Sequence, residues 1–451
     1  MRRLFALSCT VSLVLFLSCN DQPTSPDVDP LFAPGGGPGP PPGGGPPPGT
    51  PIPPDAGPPP DAPLPPEAGP PGLSTFTVGT GGGYSCALQN GLAYCWGANG
   101  RGQLGDGSTV DSPSPVAVLG GRRFSSLTVG DRHACALEPD GTAYCWGSNA
   151  RGELGAGLPG QNSATPVAVA GGLNFVALSA GLRSTCGITP QGAAYCWGLN
   201  DEGQLGDGTT VDSNVPVAVN TNLAFESISM AFRKACGLVS GTAYCWGQST
   251  LGDFGNGTGG LASFPTPVQA ANGLNLSSIN AGIFYACGVD PAGAALCWGG
   301  DGGSGKLGLG TPLDGETVLP TPVVGNLTFA SLSLDVNNNN SILGHTCGVT
   351  PPGDAYCWGS NSTGQLGGPS SDACVLAITP FDCSASPVLV QGGITFAEVA
   401  VGIGPGAGVF GEHTCGLAVD GSVYCWGANG RGQLGDGSFN DSSVPVMVGL
   451  P

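Results

Sequence analysis

Basic side chains are scarce in this chain. Lys and Arg number 12 against 31 Asp and Glu, for a formal charge of −19 at pH 7. From Leu73 onward 10 basic and 25 acidic side chains remain. A surface of that sign offers no basic face to a phosphate backbone, which argues against nucleic acid as a partner. Long apolar runs are missing as well. The run from Leu4 to Leu17 is interrupted by Ser8, Thr10 and Ser12, and it is too short for a comfortable membrane span. No G-x-S-x-G, H-E-x-x-H or phosphate-binding loop occurs, so no familiar catalytic signature is legible.

Glycine and proline are abundant, at 82 and 43 residues. Arg2 and Arg3 precede the short apolar run, which is the pattern of a signal peptide over residues 1–18. Phe16-Leu17-Ser18-Cys19 resembles a bacterial lipobox, with Phe16 where that pattern prefers Leu. The resemblance implies that Cys19 becomes the lipidated first residue of the mature chain. Residues 19–72 are rich in Pro and Gly. They cannot bury a core and are expected to form a disordered spacer.

All seven tryptophans sit in a Cys-Trp-Gly: Trp96, Trp146, Trp197, Trp246, Trp298, Trp358 and Trp426, at steps of 50, 51, 49, 52, 60 and 68 residues. A period near fifty marks a repeat architecture. In the second unit, alternation and bounding turn residues predict four strands, A to D. They lie near Phe124 to Val129, His133 to Glu138, Thr142 to Gly147 and Pro166 to Val169.

Each unit carries one cysteine in B and one in C. Cys86 goes with Cys95, Cys135 with Cys145, Cys186 with Cys196 and Cys236 with Cys245. In the last three units Cys287 goes with Cys297, Cys347 with Cys357 and Cys415 with Cys425. Asn90-Gly91 and Ser240-Gly241 read as two-residue hairpin turns, and Pro139-Asp140-Gly141 as a three-residue loop. Counted back from these turns, the cysteines fall opposite each other on the closely spaced kind of pair, which predicts cross-strand disulfides. A metal site would want C-x-x-C-like spacing and convergent ligands. Cys374 and Cys383 are expected to staple one insertion. With Cys19 lipidated, no odd thiol remains in the mature chain, which fits an oxidising, extracytoplasmic compartment.

The segments His413 to Leu417 and Tyr424 to Gly437, H-T-C-G-L and Y-C-W-G-A-N-G-R-G-Q-L-G-D-G, resemble the regulator of chromosome condensation repeat family. The resemblance extends over residues 73–451. It implies an all-β fold, a seven-bladed β-propeller of four-stranded antiparallel blades. Ring closure of such sheets is physically sensible, because no blade can bury both faces alone. The family's nucleotide exchange on a nuclear GTPase is not carried over, since an export signal and disulfides point to another compartment. Secreted bacterial members that bind a protein target with one face are the nearer analogue.

His133, His345 and His413 share one repeat position, held elsewhere by Tyr84, Ser184, Lys234 and Tyr285. They read as template residues rather than a catalytic base. Asp106 and Asp111, Asp207 and Asp212, and Asp436 and Asp441 repeat one spacing. Calcium favours such oxygen-rich loops, but Asp-Gly is also an ordinary turn signal, and no cofactor is expected. Arg101, Arg151 and Arg431 read as solvated loop residues.

Three insertions break the template: Asp335 to Ser341, Ile403 to Phe410 and Pro369 to Pro387. All belong to A–B or C–D connections, which emerge on one face of an up-and-down blade. Loops on a rigid scaffold are the usual place for binding, so Asp335, Asn338, Val375, Phe381, Asp382 and Phe410 are candidate partner contacts. The expected protein is a monomeric, surface-anchored binder of an extracellular protein or glycan, touching the membrane only through its N-terminal lipid. A polysaccharide lyase or hydrolase working in the central channel is the enzymatic alternative. A structural envelope protein is the third reading.

Overall fold

The computed structural model describes residues 77–451 apart from 159, 336–342, 371, 377–378 and 403–410. Cys19, Asn338 and Phe410 lie outside the described residues.

Each unit is organised by its B–C hairpin. Asn90 and Gly91 take φ of 54° and 79°, the left-handed values that a type I′ turn requires. Register runs back from the turn to place Cys86 opposite Cys95. The same register sets Cys135 opposite Cys145, Cys186 opposite Cys196 and Cys236 opposite Cys245. It also sets Cys287 opposite Cys297, Cys347 opposite Cys357 and Cys415 opposite Cys425. All seven cross-strand disulfides are formed as the spacing predicts, with Cα atoms 4.0–4.1 Å apart. That is the close approach of a non-hydrogen-bonded pair. Strand A joins the edge of B away from C, and D joins C. In the second blade the strands are Ser126–Val129, His133–Leu137, Ala143–Gly147 and Ser163–Ala168. D begins ahead of the expected Pro166, because Ser163 still pairs with Gly147 across a bulge.

Seven such sheets make a β-propeller. Every blade is built from contiguous chain, from Thr77–Ala117 in the first to Phe396–Met447 in the last. The ring therefore closes without exchanging a strand, and the seam repeats the indole contact of the other junctions. Trp146 Nε1 donates to Gln103 O of the preceding blade at 3.0 Å, and Trp96 Nε1 donates to Gln433 O of the last blade at 2.9 Å. All seven indoles are fully buried. Gly105 explains the Leu-Gly pair of the repeat. Its φ is +68°, and a Cβ there would stand 2.8 Å from Trp146 Nε1. Each indole buries on the order of 200 Å², worth roughly 5 kcal/mol before entropy is counted.

One blade departs from the expected four strands. In blade six, Asp372–Leu376 and Thr379–Leu389 form a hairpin, giving a five-stranded sheet. The stretch read as a stapled loop is an added strand, closed by Cys374–Cys383 with Cα atoms 5.8 Å apart. These cysteines are diagonal rather than opposite, since Cys374 faces Phe381 and Cys383 faces Asp372.

Candidate interaction face

The A–B and C–D connections form one face, and its floor is a belt of buried polar side chains at the blade junctions. His133, His345 and His413 are each fully buried. Each reaches into the next blade: His133 Nε2 to Thr185 Oγ1 at 2.8 Å, His345 Nε2 to Thr414 Oγ1 at 2.8 Å, and His413 Nε2 to Ser85 Oγ at 2.9 Å. Those hydroxyls donate in turn to the carbonyls that receive the indoles, as Thr185 does to Glu153 O. Burial pushes His133 and His413 down to about 4. His133 and His413 are therefore neutral bridges between blades, framework rather than bases.

In blades four to six this belt carries charge. Lys234 holds the histidine position of its blade, and Asp253 the position that is Gln103 in blade one. They meet at 2.5 Å with both side chains about 3% exposed. Lys234 Nζ also donates to Tyr285 O at 2.9 Å. Desolvation lowers the lysine's pKa, against the opposing pull of Asp253. In the next blade Lys306 Nζ stands 4.7 Å from the centre of the Tyr285 ring. Asp335 lies beneath the same face, fully buried. Burial raises its carboxyl to about 6, with Lys306 opposing.

Asp335 is thus corrected as a partner contact. It is the residue just after strand A (Ser331–Leu334) of blade six, and its backbone carbonyl accepts Ile283 N of blade five at 3.2 Å. Of the other candidates, Phe381 is half-buried and Asp382 exposed on the added hairpin, and Val375 lies in that hairpin opposite Pro380. Asp335 and these three belong to one blade.

The aspartate-rich loops are internally tied. Asp106 Oδ1 accepts Ser108 N at 2.9 Å, and Asp111 Oδ1 accepts Asn99 N at 2.8 Å. The second aspartate also accepts an arginine from the preceding blade: Arg431 to Asp111 at 3.1 Å and Arg151 to Asp212 at 3.3 Å. Two arginines expected to be merely solvated therefore bridge blades. Among the described residues no three His, Cys, Asp or Glu converge as a metal site.

Family comparison meets this geometry directly. A model described as Regulator of chromosome condensation (RCC1) repeat matches residues 90–137, 140–188, 191–232 and 420–451, and a second of the same description matches 124–153 and 175–204. Those stretches of the chain carry RCC1 repeats. Over 384 residues it is 29% identical to the ultraviolet-B receptor UVR8 of Arabidopsis thaliana, covering 82% of this chain and 81% of the receptor. It is also 29% identical over 378 residues to the E3 ubiquitin-protein ligase HERC2 of Homo sapiens, covering 80% of this chain but 7% of the ligase. Yeast RCC1 (Prp20), solved bound to Kap60, matches with a TM-score of 0.67 at 18% identity, over 79% of this chain and 83% of that one. The last is a likeness of fold alone. Within this chain, the indole contact recurs at every blade junction, whereas the added strand is found in blade six and the buried lysines in blades four and five.

Proposed function

We propose that this RCC1 propeller is a protein-binding module of the cell envelope. It is exported, lipidated at Cys19 and held off the membrane by the spacer of residues 20–72. It engages an extracellular protein through the hairpin of blade six and the neighbouring A–B connection of blade seven. The observation that carries this reading is the position of the added strand. A disulfide-closed hairpin extends one blade at the A–B and C–D face, with Thr379, Pro380 and Asp382 exposed, while among the described residues the other six blades keep four strands each. Recognition on rigid scaffolds commonly uses such departures. That Prp20, of the same fold, is solved with a protein partner supports a protein ligand.

Two columns test this. One carries the full chain; the other carries the chain with residues 373–384 replaced by a short Gly-Ser turn. A surface protein retained by the first and lost from the second is the expected result. Equal retention on both would overturn the hairpin as the binding element. Cys19→Ser should release the protein from the membrane fraction, and continued membrane association of that variant would remove the lipid anchor.

A further inference from the structure

At the junction of blades one and two, one partner of the inter-blade ion pair has been replaced. Arg431 and Arg151 each reach the second aspartate of the next blade's loop. Arg101 occupies the same position in blade one. Blade two has Asn162 where the aspartate should be, and Asn162 Oδ1 keeps the backbone role alone, accepting Asn149 N at 3.0 Å. Among the described residues the exposed Arg101 guanidinium has no ion pair or hydrogen bond; only its backbone N is engaged, by Gln103 Oε1 at 2.8 Å.

Arg101 does not stand alone. It lines a cleft of about 300 Å³ with Arg132 and Arg431, drawn from blades one, two and seven. Asp131 holds Arg132 through Nε at 3.2 Å, and Asp111 holds Arg431 through one Nη at 3.1 Å. Each contact fixes a guanidinium and leaves other N–H donors uncommitted. Asp111 also lines the cleft, but both its oxygens are already engaged. Three guanidinium groups converging on one opening in a chain of −19 net charge form a local positive site on an acidic surface.

We propose that this cleft receives a carboxylate side chain, Asp or Glu, presented by a protein partner. The inference rests on the protein-binding reading and adds a second contact to it, on the same face but away from blade six. Guanidinium donors match carboxylate oxygens in bidentate geometry. A peptide source is favoured over an acidic glycan because no aromatic ring lines the cleft for a sugar to stack on. The volume suits one or two side chains.

The test uses the full purified chain and two probes, hexaglutamate and hexaglutamine peptides, by fluorescence anisotropy at low salt. Hexaglutamate should bind and hexaglutamine should not. Arg101→Gln should weaken binding about tenfold. Asn162→Asp restores the template aspartate, which should claim Arg101 and weaken binding to a similar degree without loss of fold. Arg151→Gln, outside the cleft, should leave affinity within about twofold. Equal losses from Arg101→Gln and Arg151→Gln, or no effect of Asn162→Asp, would overturn the cleft. So would failure of the unaltered chain to bind hexaglutamate, while the two-column result for blade six would still stand. An oligouronate that binds more tightly than hexaglutamate would replace the protein source with a glycan.

Discussion

Blades one to three and blades four to seven solve the same packing problem with different side chains. The early indoles Trp146 and Trp197 donate across their junctions at 3.0 and 2.8 Å; the late ones, Trp298 and Trp426, do so at 3.1 and 2.9 Å. The scaffold is therefore indifferent to the longer repeats. What changes is the polar residue at each junction, and in blade four two changes compensate each other. Where Gln becomes Asp253, the histidine position becomes Lys234. Where the A strand of blade seven has Ala400 in place of a hydroxyl, Glu398 two residues earlier engages a different N–H of the next blade, that of Val78. A buried polar group without a partner costs on the order of 1–3 kcal/mol, and Ser184 Oγ at the histidine position of blade three is one such group; at the exposed rim a single departure costs far less. Arg101 is such a rim departure.

The sharpest way to break the comparison is to break the blade-four pair. Asp253→Ala leaves Lys234 2% exposed, without its carboxylate and tied only to Tyr285 O. Removing one member of a buried pair costs about 3–5 kcal/mol, to be read as a fall in the urea midpoint. Lys234→His with Asp253→Gln restores the residues of other blades and should recover most of the loss. If the single variant is as stable as the parent, compensation is not what governs these positions.

The two kinds of disulfide give a smaller contrast. Cys186–Cys196 ties the inner hairpin of a blade at a sequence separation of 10, and replacing both cysteines by alanine should cost about 3 kcal/mol of global stability. Cys374–Cys383 closes a loop of nearly the same length, with a separation of 9, so loop entropy alone predicts the same cost. It lies on an added edge strand, however, whose opening need not open the blade. The paired alanine variant should leave the unfolding midpoint within about 0.5 kcal/mol of the parent and instead raise amide exchange across Thr379–Asp382. Equal global losses would mean that the added strand is part of the cooperative ring.

Much of this architecture was legible in the residues because it is local. The cysteine register follows from the Asn90-Gly91 turn, and the blade count from the tryptophans. The fifth strand was missed although Val375, Thr379 and Phe381 suit a strand; two cysteines close together read more naturally as a stapled loop. Pairs across junctions were illegible for a physical reason. Arg151 and Asp212 lie 61 residues apart, and only ring closure brings them together. The histidines carried a signal that could have been used: Thr185, Thr414 and Ser85 each follow the histidine position of the next unit. Asp335 misled because it opens an insertion, yet its own backbone still belongs to the repeat.

The smallest effect concerns the seam. At four other junctions a hydroxyl of one A strand accepts a backbone N–H of the next: Thr128 from Ala180 at 3.0 Å, Ser179 from Met230 at 2.9 Å, Ser229 from Ala281 at 3.0 Å and Ser333 from Val401 at 3.0 Å. Between the last blade and the first that hydroxyl is missing, and Glu398 Oε1 accepts Val78 N, two residues before the equivalent Thr80, at 2.5 Å. Burial raises this carboxyl from 4.5 to about 7, with the Val78 N–H pulling the other way. The folded chain therefore holds a proton that the unfolded chain releases between those values. The stability this group contributes is fully present below about pH 4.5 and is lost as pH rises through about 7. Asp131 and Asp335, raised to about 6, act in the same sense. His133 and His413, lowered to about 4, oppose them, since their contribution is present above 6.5 and lost as pH falls through 4. Glu398→Gln keeps an oxygen for Val78 and removes the titration. Relative to the parent it should gain on the order of 2 kcal/mol between pH 4 and pH 8, read from urea midpoints across that range. Parallel profiles for the two proteins would show that Glu398 is solvated well enough to ionise freely, and that the seam is held by its indole and backbone contacts alone.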